Sequence, residues 1–204
     1  MYAFALQSPI GLLYVSVTER GLRRLHTLST QHGVEGASLS VEALDAAARP
    51  TMAEEAMASA AETQLREYFE GARRDFDLPL DLDCGSGFQR RVWEIIARIP
   101  YGEVASYAEV AQAAGAPGAF RAAGTACGHN PVALVTPCHR VIASGSKLGG
   151  YGLGIENKVW LLRHEGIGAT GARPDARVFK LETAATPLSA GGEGVRGRGS
   201  RVGV

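Results

Sequence analysis

The residues best suited to chemistry lie in one short stretch, in which Cys138 is followed directly by His139 and Arg140. A thiol attacks carbon only as the thiolate, and a neighbouring imidazole or cation lowers the pKa of a thiol. The apolar run 132–135 precedes this stretch and ends before Pro137, which biases the residue ahead of it toward an extended backbone. We therefore expect Cys138 to lie at a bend at the end of a buried segment and to act as a nucleophile.

Three other interpretations of Cys138 stay open at this point. A free cysteine is most often a small buried thiol that only packs. A cysteine peptidase also pairs a cysteine with a histidine, although its histidine is remote in sequence rather than adjacent. A winged-helix transcription regulator explains the helix-turn-helix predicted below, but it leaves the Cys-His-Arg stretch without a role.

The composition is that of an ordinary globular chain. It has 204 residues, 46% of them hydrophobic and 21% charged, and no apolar run approaches the length of about 18 residues that a membrane span needs. No secretory signal is evident at the N-terminus. The three cysteines, Cys84, Cys127 and Cys138, form no CxxC pair, so the sequence predicts neither a disulfide framework nor a zinc site. We expect a cytoplasmic, reducing environment and no association with a membrane.

The net charge of zero conceals an uneven distribution. Residues 1–85 hold 7 basic and 13 acidic residues, whereas residues 86–168 hold 8 and 5, and residues 169–204 hold 6 and 3. A basic middle and a basic tail suit contact with phosphates. A solvated surface explains many such imbalances as well.

Residues 1–83 predict a small α/β unit. Runs rich in β-forming residues, joined by tight turns, indicate an antiparallel meander of three strands at 2–8, 12–18 and 22–28. A helix is predicted over 51–69, because Thr51 and Glu54 form a capping box ahead of an apolar stripe. We expect a loop at 29–50 and a short strand at 75–80.

Residues 88–168 predict a helical unit, reached through a polar linker. Ser106 and Glu109 form a second capping box, and a glycine-containing turn at 115–118 joins two short helices into a helix-turn-helix candidate. The glycine-rich loop at 143–154 lacks the spacing of a phosphate loop, so its glycines are more suited to wrapping the chain around a flat ligand. The predicted helices are 88–99, 106–114, 119–128 and 155–164.

The helix predicted at 119–128 carries small residues and a single arginine, Arg121. A helix that reads base edges in the major groove usually presents several Arg, Asn, Gln or Lys side chains. Small side chains instead let the helix backbone lie close to DNA, and Arg121 could then enter the base stack where a base has left. A solvated surface arginine is the alternative interpretation.

The stretch Pro137-Cys138-His139-Arg140-Val141 resembles the acceptor motif of the O6-alkylguanine-DNA alkyltransferases, also called methylated-DNA–protein-cysteine methyltransferases. The resemblance runs from about Phe88 to Gly166, and Arg121, Asn130, Tyr151 and Glu165 stand at the spacings of that family. It implies an α/β (α+β) fold. An N-terminal ribonuclease-H-like small sheet domain would span 1–83, and a C-terminal winged helix-turn-helix-like helical domain would span 88–168.

The same resemblance implies a role for each residue of the acceptor site. Cys138 is the nucleophile and alkyl acceptor, and His139 is its base, acting through a water. Glu165 orients the imidazole of His139, Asn130 braces the turn that carries the thiol, and Tyr107 helps the departing guanine to take a proton.

Two further groups of residues complete the predicted site. The residues expected to contact DNA are Arg121, Ala119, Ala122, Ala123 and Gly124. The residues expected to line the base pocket are Tyr151, Val141, whose neighbouring backbone groups would read the guanine edge, Ala133 and Gly152.

The resemblance implies a DNA repair protein that flips O6-alkylguanine, and also O4-alkylthymine, out of duplex DNA. It transfers the alkyl group irreversibly to Cys138, once per molecule. We expect a monomer, possible cooperativity on DNA, no obligate protein partner and no cofactor. Some family members hold zinc near the N-terminus, but this chain lacks the cysteines for it, so we expect no metal. A DNA-binding protein or regulator that senses alkylation lesions is the alternative.

Two departures from the family pattern concern the pocket, and a separate prediction from composition concerns the C-terminal residues. Gly152 stands where some relatives have serine, which removes one donor to the O6 atom, and Ala133 stands where some have proline, which thins one wall. Residues 169–204 are glycine-rich and basic with few apolar side chains, so they predict a disordered tail.

Overall fold

The computed structural model describes residues 1–27, 49–170, 173–175 and 177–178. Its N-terminal part is an antiparallel meander of three strands in chain order, as predicted. Gly21 allows the chain near Pro79 to lie against the third strand, because a Cβ at Gly21 would collide with the carbonyl of Pro79. The strands are β1 (Tyr2–Ser8), β2 (Gly11–Thr18) and β3 (Gly21–Thr27).

The strand predicted at 75–80 is wrong. This segment makes one isolated parallel bridge, between Leu80 and Leu22, and is otherwise irregular. Pro79 has no N–H and can only accept a hydrogen bond, here from the amide of Leu22 at 2.8 Å, so a longer ladder does not form. The loop predicted at 29–50 lies almost entirely outside the described residues.

Helix α1 (Met52–Phe69) covers one face of the meander. Thr51 and Glu54 form the predicted capping box at its start. The buried face of the helix carries Ala58, Ala61, Leu65 and Tyr68, and it packs with the apolar side chains of β1–β3 into one core. The helix therefore presents Tyr68, near its C-terminal end, to the interior of the molecule.

The C-terminal part is mainly helical. Helix α2 (Gly87–Ile96) ends three residues earlier than predicted, and a short strand, β4 (Glu103–Ser106), follows it without having been predicted. Ser106 and Glu109 cap the next helix as expected. The remaining helices are α3 (Tyr107–Ala113), α4 (Phe120–Gly128) and α5 (Ile155–His164). Helices α3 and α4 form the predicted helix-turn-helix.

A single 3₁₀ turn at Cys138–Arg140 carries the candidate nucleophile. It leads into β5 (Val141–Ile142), which pairs in parallel with β4 through Ala105 and Val141. The thiol is thus held between a helical layer and a small parallel sheet.

The segment predicted as a disordered tail begins with regular structure, which corrects that prediction for its first residues. Strands β6 (Gly168–Thr170) and β7 (Arg173–Asp175) form an antiparallel pair, and β8 (Arg177–Val178) pairs in parallel with β4. The reason is that the free edge of β4 offers backbone partners to the passing chain. Residues 179–204 lie outside the described part.

The two parts meet at the segment ahead of the thiol. The amide of Leu25, in β3, donates to the carbonyl of Pro131 at 2.8 Å, and Leu25 forms a bridge with Val132. The side chains of Val132 and Leu134 are buried in the core of the N-terminal part. Across the interface, the Asn157 amide of α5 donates to the carbonyl of Ile10 at 3.1 Å. Along the stretches that the structure describes, no helix is long and apolar enough to cross a membrane.

Candidate active site and DNA-facing helix

Asn130 fastens the turn that carries Cys138. Its Nδ2 donates to the carbonyl of Thr136 at 2.7 Å and to the Sγ of Cys138 at 3.2 Å, while its Oδ1 accepts from the amide of Val132 at 3.2 Å. One amide side chain therefore bridges both ends of the turn and faces the sulfur. This geometry fits the bracing role expected of Asn130.

The turn itself is strained. Leu134 has a φ of 79°, and within the described ranges it is the one non-glycine residue with positive φ. Such a backbone costs about 1–3 kcal/mol and persists only where the surroundings enforce it. Here the buried Leu134 side chain and the bonds of Asn130 enforce it.

Cys138 is almost completely buried, with 5% of its surface exposed. Burial raises the pKa of its thiol, while the Asn130 donor and the positive charge of Lys158 lower it. The resting thiol is therefore protonated, and a base is required to generate the thiolate.

His139 is fully buried, and its Nε2 lies 2.8 Å from Oε1 of Glu165. An ionised carboxylate only accepts hydrogen bonds, so Nε2 must be the donor. In the neutral imidazole the lone pair then lies on Nδ1. Nδ1 has no hydrogen-bond partner among the described residues. Burial lowers the pKa of His139 more strongly than the Glu165 carboxylate raises it, so this imidazole is neutral and its Nδ1 is a free base.

Glu165 is the most heavily bonded side chain of the site. Burial acts to raise its pKa, but His139 and Arg140 outweigh burial and hold the pKa of Glu165 well below the usual range. It is therefore ionised. Oε1 accepts from Tyr68 Oη (2.7 Å), His139 Nε2 (2.8 Å) and Arg140 Nη2 (2.9 Å), and Oε2 accepts from Arg140 Nε (2.9 Å) and the Gly102 amide (3.3 Å).

Arg140 has a larger role than its place in the motif suggested. Its guanidinium, 6% exposed, forms a bidentate pair with Glu165 and also donates to the carbonyl of Ile99 at 2.6 Å. The Arg-Glu pair compensates both buried charges and leaves His139 neutral. The residue type next to His139 could have signalled this role, but the position of its partner, 25 residues away, could not have been foreseen.

Lys158 of α5 was missed by the sequence analysis. It is fully buried, and its Nζ donates to the carbonyls of Val141 and Leu148 at 2.6 Å each and to that of Gly150 at 3.2 Å. It thereby fixes the glycine-rich loop against β5. Burial lowers the pKa of Lys158 to about 8, against the opposing influence of Cys138. A lysine on an amphipathic helix gives no sequence signal of such burial.

The residues predicted to line the base pocket come together around the thiol. Ala133, Val141 and Cys138 belong to one buried cluster, against which Tyr107 and Tyr151 pack. The Tyr151 ring stands edge-on to the His139 ring at 6.3 Å, and its buried hydroxyl has no partner in the described part of the chain. Burial raises the pKa of Tyr151, so the phenol remains protonated.

The glycine loop forms the other wall. The Tyr107 hydroxyl donates to the carbonyl of Gly150 at 3.2 Å. A Cβ at Gly149 would come within 2.9 Å of the Tyr107 ring, and Gly149 has a φ of 69°, so glycine is required there. Gly152 lies beside the carbonyl of Gly128, where a Cβ would meet that oxygen at 3.7 Å. Burial raises the pKa of Tyr107, so this phenol remains protonated.

The backbone of Val141 is already engaged. Its amide donates to the carbonyl of Cys138, and its carbonyl accepts from Lys158. The prediction that backbone groups near Val141 read the edge of a bound base therefore needs neighbouring groups or a rearrangement of these bonds.

Helix α4 presents an open face. Arg121 and Ala122 are exposed, and Ala119 and Gly124 are partly so. The guanidinium of Arg121 lies over the ring of its neighbour Phe120, 5.8 Å from the centroid, and that ring is 49% exposed. Phe120 was not among the residues predicted to contact DNA.

Ala123 corrects the predicted set of DNA-contacting residues. It is completely buried in the core of the C-terminal part, together with Ala126 and Cys127 of the same helix. It therefore faces away from any surface ligand and serves to seat α4. A helix of small residues gives no apolar stripe from which its inner face could be identified.

Within the ranges the structure covers, no three His, Cys, Asp or Glu side chains lie together as metal ligands would.

Fold and site together define a class: a helix-turn-helix protein in which a buried thiol is followed by a buried histidine paired with a carboxylate. Family models agree with this. The model of the 6-O-methylguanine DNA methyltransferase DNA-binding domain matches residues 87–167, and the model of the ribonuclease-like domain of the same family matches residues 1–82. The chain belongs to the 6-O-methylguanine DNA methyltransferase family, which confirms the resemblance and the predicted fold.

Relatives and solved structures give the same picture. A methylated-DNA–protein-cysteine methyltransferase of Methanosarcina barkeri is 38% identical over 81% of this chain and 97% of that protein. One of Mycolicibacterium paratuberculosis is 57% identical over 102 residues, half of this chain and 61% of that relative's length. The match to the Mycobacterium bovis protein spans 64% of that protein's length. The crystal structure of Mycobacterium tuberculosis O6-methylguanine methyltransferase superposes with a TM-score of 0.67 at 41% identity, covering 80% of this chain and 92% of that one. The tuberculosis protein, under the name OGT, has also been crystallised in complex with DNA.

Proposed function

We propose that this protein repairs alkylated bases in duplex DNA by moving the alkyl group irreversibly onto Cys138. The substrate is O6-alkylguanine and, through the same chemistry, O4-alkylthymine. The observation that carries the proposal is the buried contact between Glu165 and His139, which leaves Nδ1 of His139 without a partner among the described residues. His139 directly follows Cys138, whose thiol accepts a hydrogen bond from Asn130. No metal or cofactor takes part, and the protein acts in the cytoplasm as a monomer.

The proposed reaction is one displacement with a balanced transfer of protons. The thiol proton of Cys138 passes to Nδ1 of His139, through a water, and Glu165 stabilises the resulting imidazolium. Sγ then bonds to the alkyl carbon while the bond from that carbon to O6 breaks, and its electron pair stays with guanine. The Tyr107 hydroxyl supplies a proton to the departing base and takes one back from the imidazolium through solvent, so both side chains end neutral. A thioether is a poor leaving group, so each molecule acts once.

The alkylated base must leave the stack to reach a thiol that is 5% exposed. Extruding a base costs a few kcal/mol, and less for a poorly paired lesion. In this proposal α4 lies along the duplex, the small residues Ala119, Ala122 and Gly124 allow close approach, and Arg121 fills the vacated space.

Intact-mass spectrometry after incubation with a duplex that contains O6-methylguanine tests the proposal. We expect one added methyl group per protein, located on the peptide that contains Cys138. Binding to the duplex without any mass change would favour the alternative, a protein that senses alkylation without repairing it. Mass gained on a peptide other than that of Cys138 would refute the assignment of the nucleophile.

A further inference from the structure

We propose that Tyr68, a residue of the N-terminal part, is a positioning residue that sets the basicity of His139 through Glu165. The inference rests on the proposed function, because it takes His139 to be the base in alkyl transfer. It assigns the N-terminal part a chemical task in addition to its structural one.

The geometry is direct. Tyr68 lies near the end of α1, is completely buried, and donates from its hydroxyl to Oε1 of Glu165 at 2.7 Å. The same oxygen receives Nε2 of His139 at 2.8 Å and Nη2 of Arg140 at 2.9 Å. Glu165 is thus shared between a base of the C-terminal part and a phenol of the N-terminal part.

Three donors on one carboxylate oxygen compete for its electron density. A carboxylate oxygen offers about two lone-pair positions, so each added donor weakens the others. The Tyr68 hydroxyl therefore draws Oε1 away from His139, which makes the imidazolium less stable and the neutral imidazole more prevalent. Loss of this hydroxyl would strengthen the interaction of Glu165 with a protonated His139. The pKa of His139 would then rise, so His139 would already be protonated, and unable to act as a base, at a higher pH.

The phenol is held too firmly to reorient. The Nε2 of His164 lies 2.6 Å from the carbonyl of Tyr68, and rings pack against Tyr68 on several sides. The ring neighbours and their centroid distances are His164 at 5.1 Å, Phe76 at 5.3 Å, Phe69 at 5.5 Å and Tyr101 at 6.3 Å. The hydroxyl consequently stays on Glu165 as long as α1 stays docked.

Other groups around the pair must stay constant for the effect to be assigned to Tyr68. Within the described residues, the titratable or charged groups close to Glu165, His139 or Tyr68 are Cys138, Arg140, Tyr151, Lys158, Tyr101 and His164. The first three belong to the acceptor segment and the pocket, Lys158 and His164 to α5, and Tyr101 to the segment between α2 and β4. Replacement of Tyr68 by phenylalanine removes one hydroxyl and changes the identity of none of them.

The test compares Tyr68→Phe with the wild type in single-turnover transfer from a methylated duplex between pH 5 and 9. Transfer requires neutral His139, so the rate falls on the acid side. We expect this acid limb to move up by about half a pH unit to one unit, giving about a three- to tenfold slower reaction at acid pH. At pH 9 the rates should agree within about twofold, because His139 is then neutral in both.

Tyr101→Phe is the matched control. Its hydroxyl donates to the carbonyl of His164 at 2.8 Å in the same aromatic cluster, so its loss has a comparable structural cost without a bond to Glu165. We expect its acid limb to coincide with that of the wild type. A uniform loss of rate at every pH in Tyr68→Phe, or an equal shift in Tyr101→Phe, overturns the inference.

Two further measurements keep the inference separate from the proposed function and from misfolding. Nitrogen-15 NMR titration of His139 follows the same equilibrium without DNA, and it should show the same upward shift in Tyr68→Phe even if no alkyl transfer were found. Incorporation of 3-fluorotyrosine at position 68 keeps the side chain and strengthens the donor, so it should move the titration of His139 downward. An unchanged titration in the fluorinated protein refutes the inference; a wild type that never takes up an alkyl group refutes only the proposed function.

Discussion

The cluster around Glu165 and the open face of α4 differ in burial and in how many hydrogen bonds hold their polar side chains. In the cluster, five donors converge on one carboxylate and the imidazole and guanidinium are buried. On α4, Arg121 and Ala122 are exposed, and the guanidinium lies 5.8 Å from the centroid of the half-exposed ring of Phe120. Chemistry on a thiol needs fixed atoms and exclusion of water, whereas approach to a duplex needs an exposed surface with small side chains.

Because of this difference, we expect substitutions in the two regions to affect the free energy of unfolding differently. Removing one partner of a buried ion pair leaves the other charge unpaired, at a cost of about 3–5 kcal/mol. A substitution on an exposed surface usually changes stability by less than about 0.5 kcal/mol. The two regions should therefore differ in what they lose: the cluster loses both stability and transfer, while the face loses only contact with DNA.

The largest effect is expected at the nucleophile. Cys138→Ser should abolish alkyl transfer, because a hydroxyl is far less nucleophilic at neutral pH, while the affinity for duplex DNA stays nearly unchanged. Labelled-alkyl transfer and a binding titration measure the two properties. Cys127→Ser is the control, since Cys127 is also buried but meets Asn130 only through its backbone carbonyl, whereas Cys138 accepts from the Asn130 side chain through its sulfur. Alkylation of Cys138→Ser, or an equally inactive Cys127→Ser, would show that the nucleophile has been misassigned.

Glu165→Gln should destabilise the fold by about 3–5 kcal/mol, because Arg140 loses its charged partner while it remains buried. Chemical denaturation measures the loss. Glu67→Gln, in a partly exposed pair with Arg73 at 2.7 Å, is the control and should cost under about 1 kcal/mol. Equal losses in the two variants would remove the contrast between buried and exposed charges.

The range of alkyl groups that are transferred tests how much space there is beside the thiol of Cys138. Ala133, which shares a buried cluster with Cys138, and the glycines of the loop are the small residues predicted to bound the pocket. Discrimination by apolar size is worth only about 1–3 kcal/mol per methylene. Single-turnover transfer of ethyl should therefore stay within about a hundredfold of methyl. A drop of many thousandfold from methyl to ethyl would mean that other side chains close the pocket.

Arg121→Ala should slow repair of a duplex lesion by about tenfold but leave the reaction with free O6-alkylguanine base unchanged, because the free base needs no extrusion. Arg91→Ala is the control: it is an equally exposed arginine over an aromatic ring, Phe88 at 5.9 Å, on another helix. Equal losses on duplex and free base would place Arg121 in a structural role and would weaken the contrast between the two regions.

The smallest effect concerns acid stability. The pKa of His139 is lowered by burial below its ordinary value of 6.5. Below pH 6.5 the unfolded chain therefore binds a proton at this residue more readily than the native state does. This contribution is present in full above pH 6.5 and is lost as the pH falls below it, at up to about 1.4 kcal/mol per pH unit. The free energy of unfolding, measured by denaturation at pH 7.5, 6.5 and 5.5, should depend less on pH in His139→Gln than in the wild type. In Arg121→Ala its dependence on pH should stay that of the wild type. A wild-type slope in His139→Gln would show that another group titrates.

Local patterns predicted most of the elements. The meander, the capping boxes at Thr51 and Ser106 and the helix-turn-helix all follow from residues within a few positions of one another, and all are present. The error at 75–80 arose because a β-forming segment also needs partners along a strand. Strand β4 was missed because its partners, β5 and β8, lie far along the chain.

The acceptor motif indicated the thiol, its base and Asn130, and the structure brings these side chains into one place. It could not indicate Tyr68 or Lys158. Tyr68 contacts a residue 97 positions away, and both residues belong to types that sequence alone assigns to a core or to a surface. Burial of Ala123 was likewise invisible, because a helix of small residues has no hydrophobic stripe.

The bond from Tyr68 to Glu165 joins residues 97 positions apart. Long-range contacts of this kind form late, because the loop they close is costly in entropy. During synthesis, a chain released as far as Cys138 still lacks the carboxylate that orients its imidazole. Its thiol at that stage is that of an ordinary unfolded cysteine. Because Glu165 follows Cys138 and His139 in the chain, we expect alkyl transfer only from the finished and folded molecule.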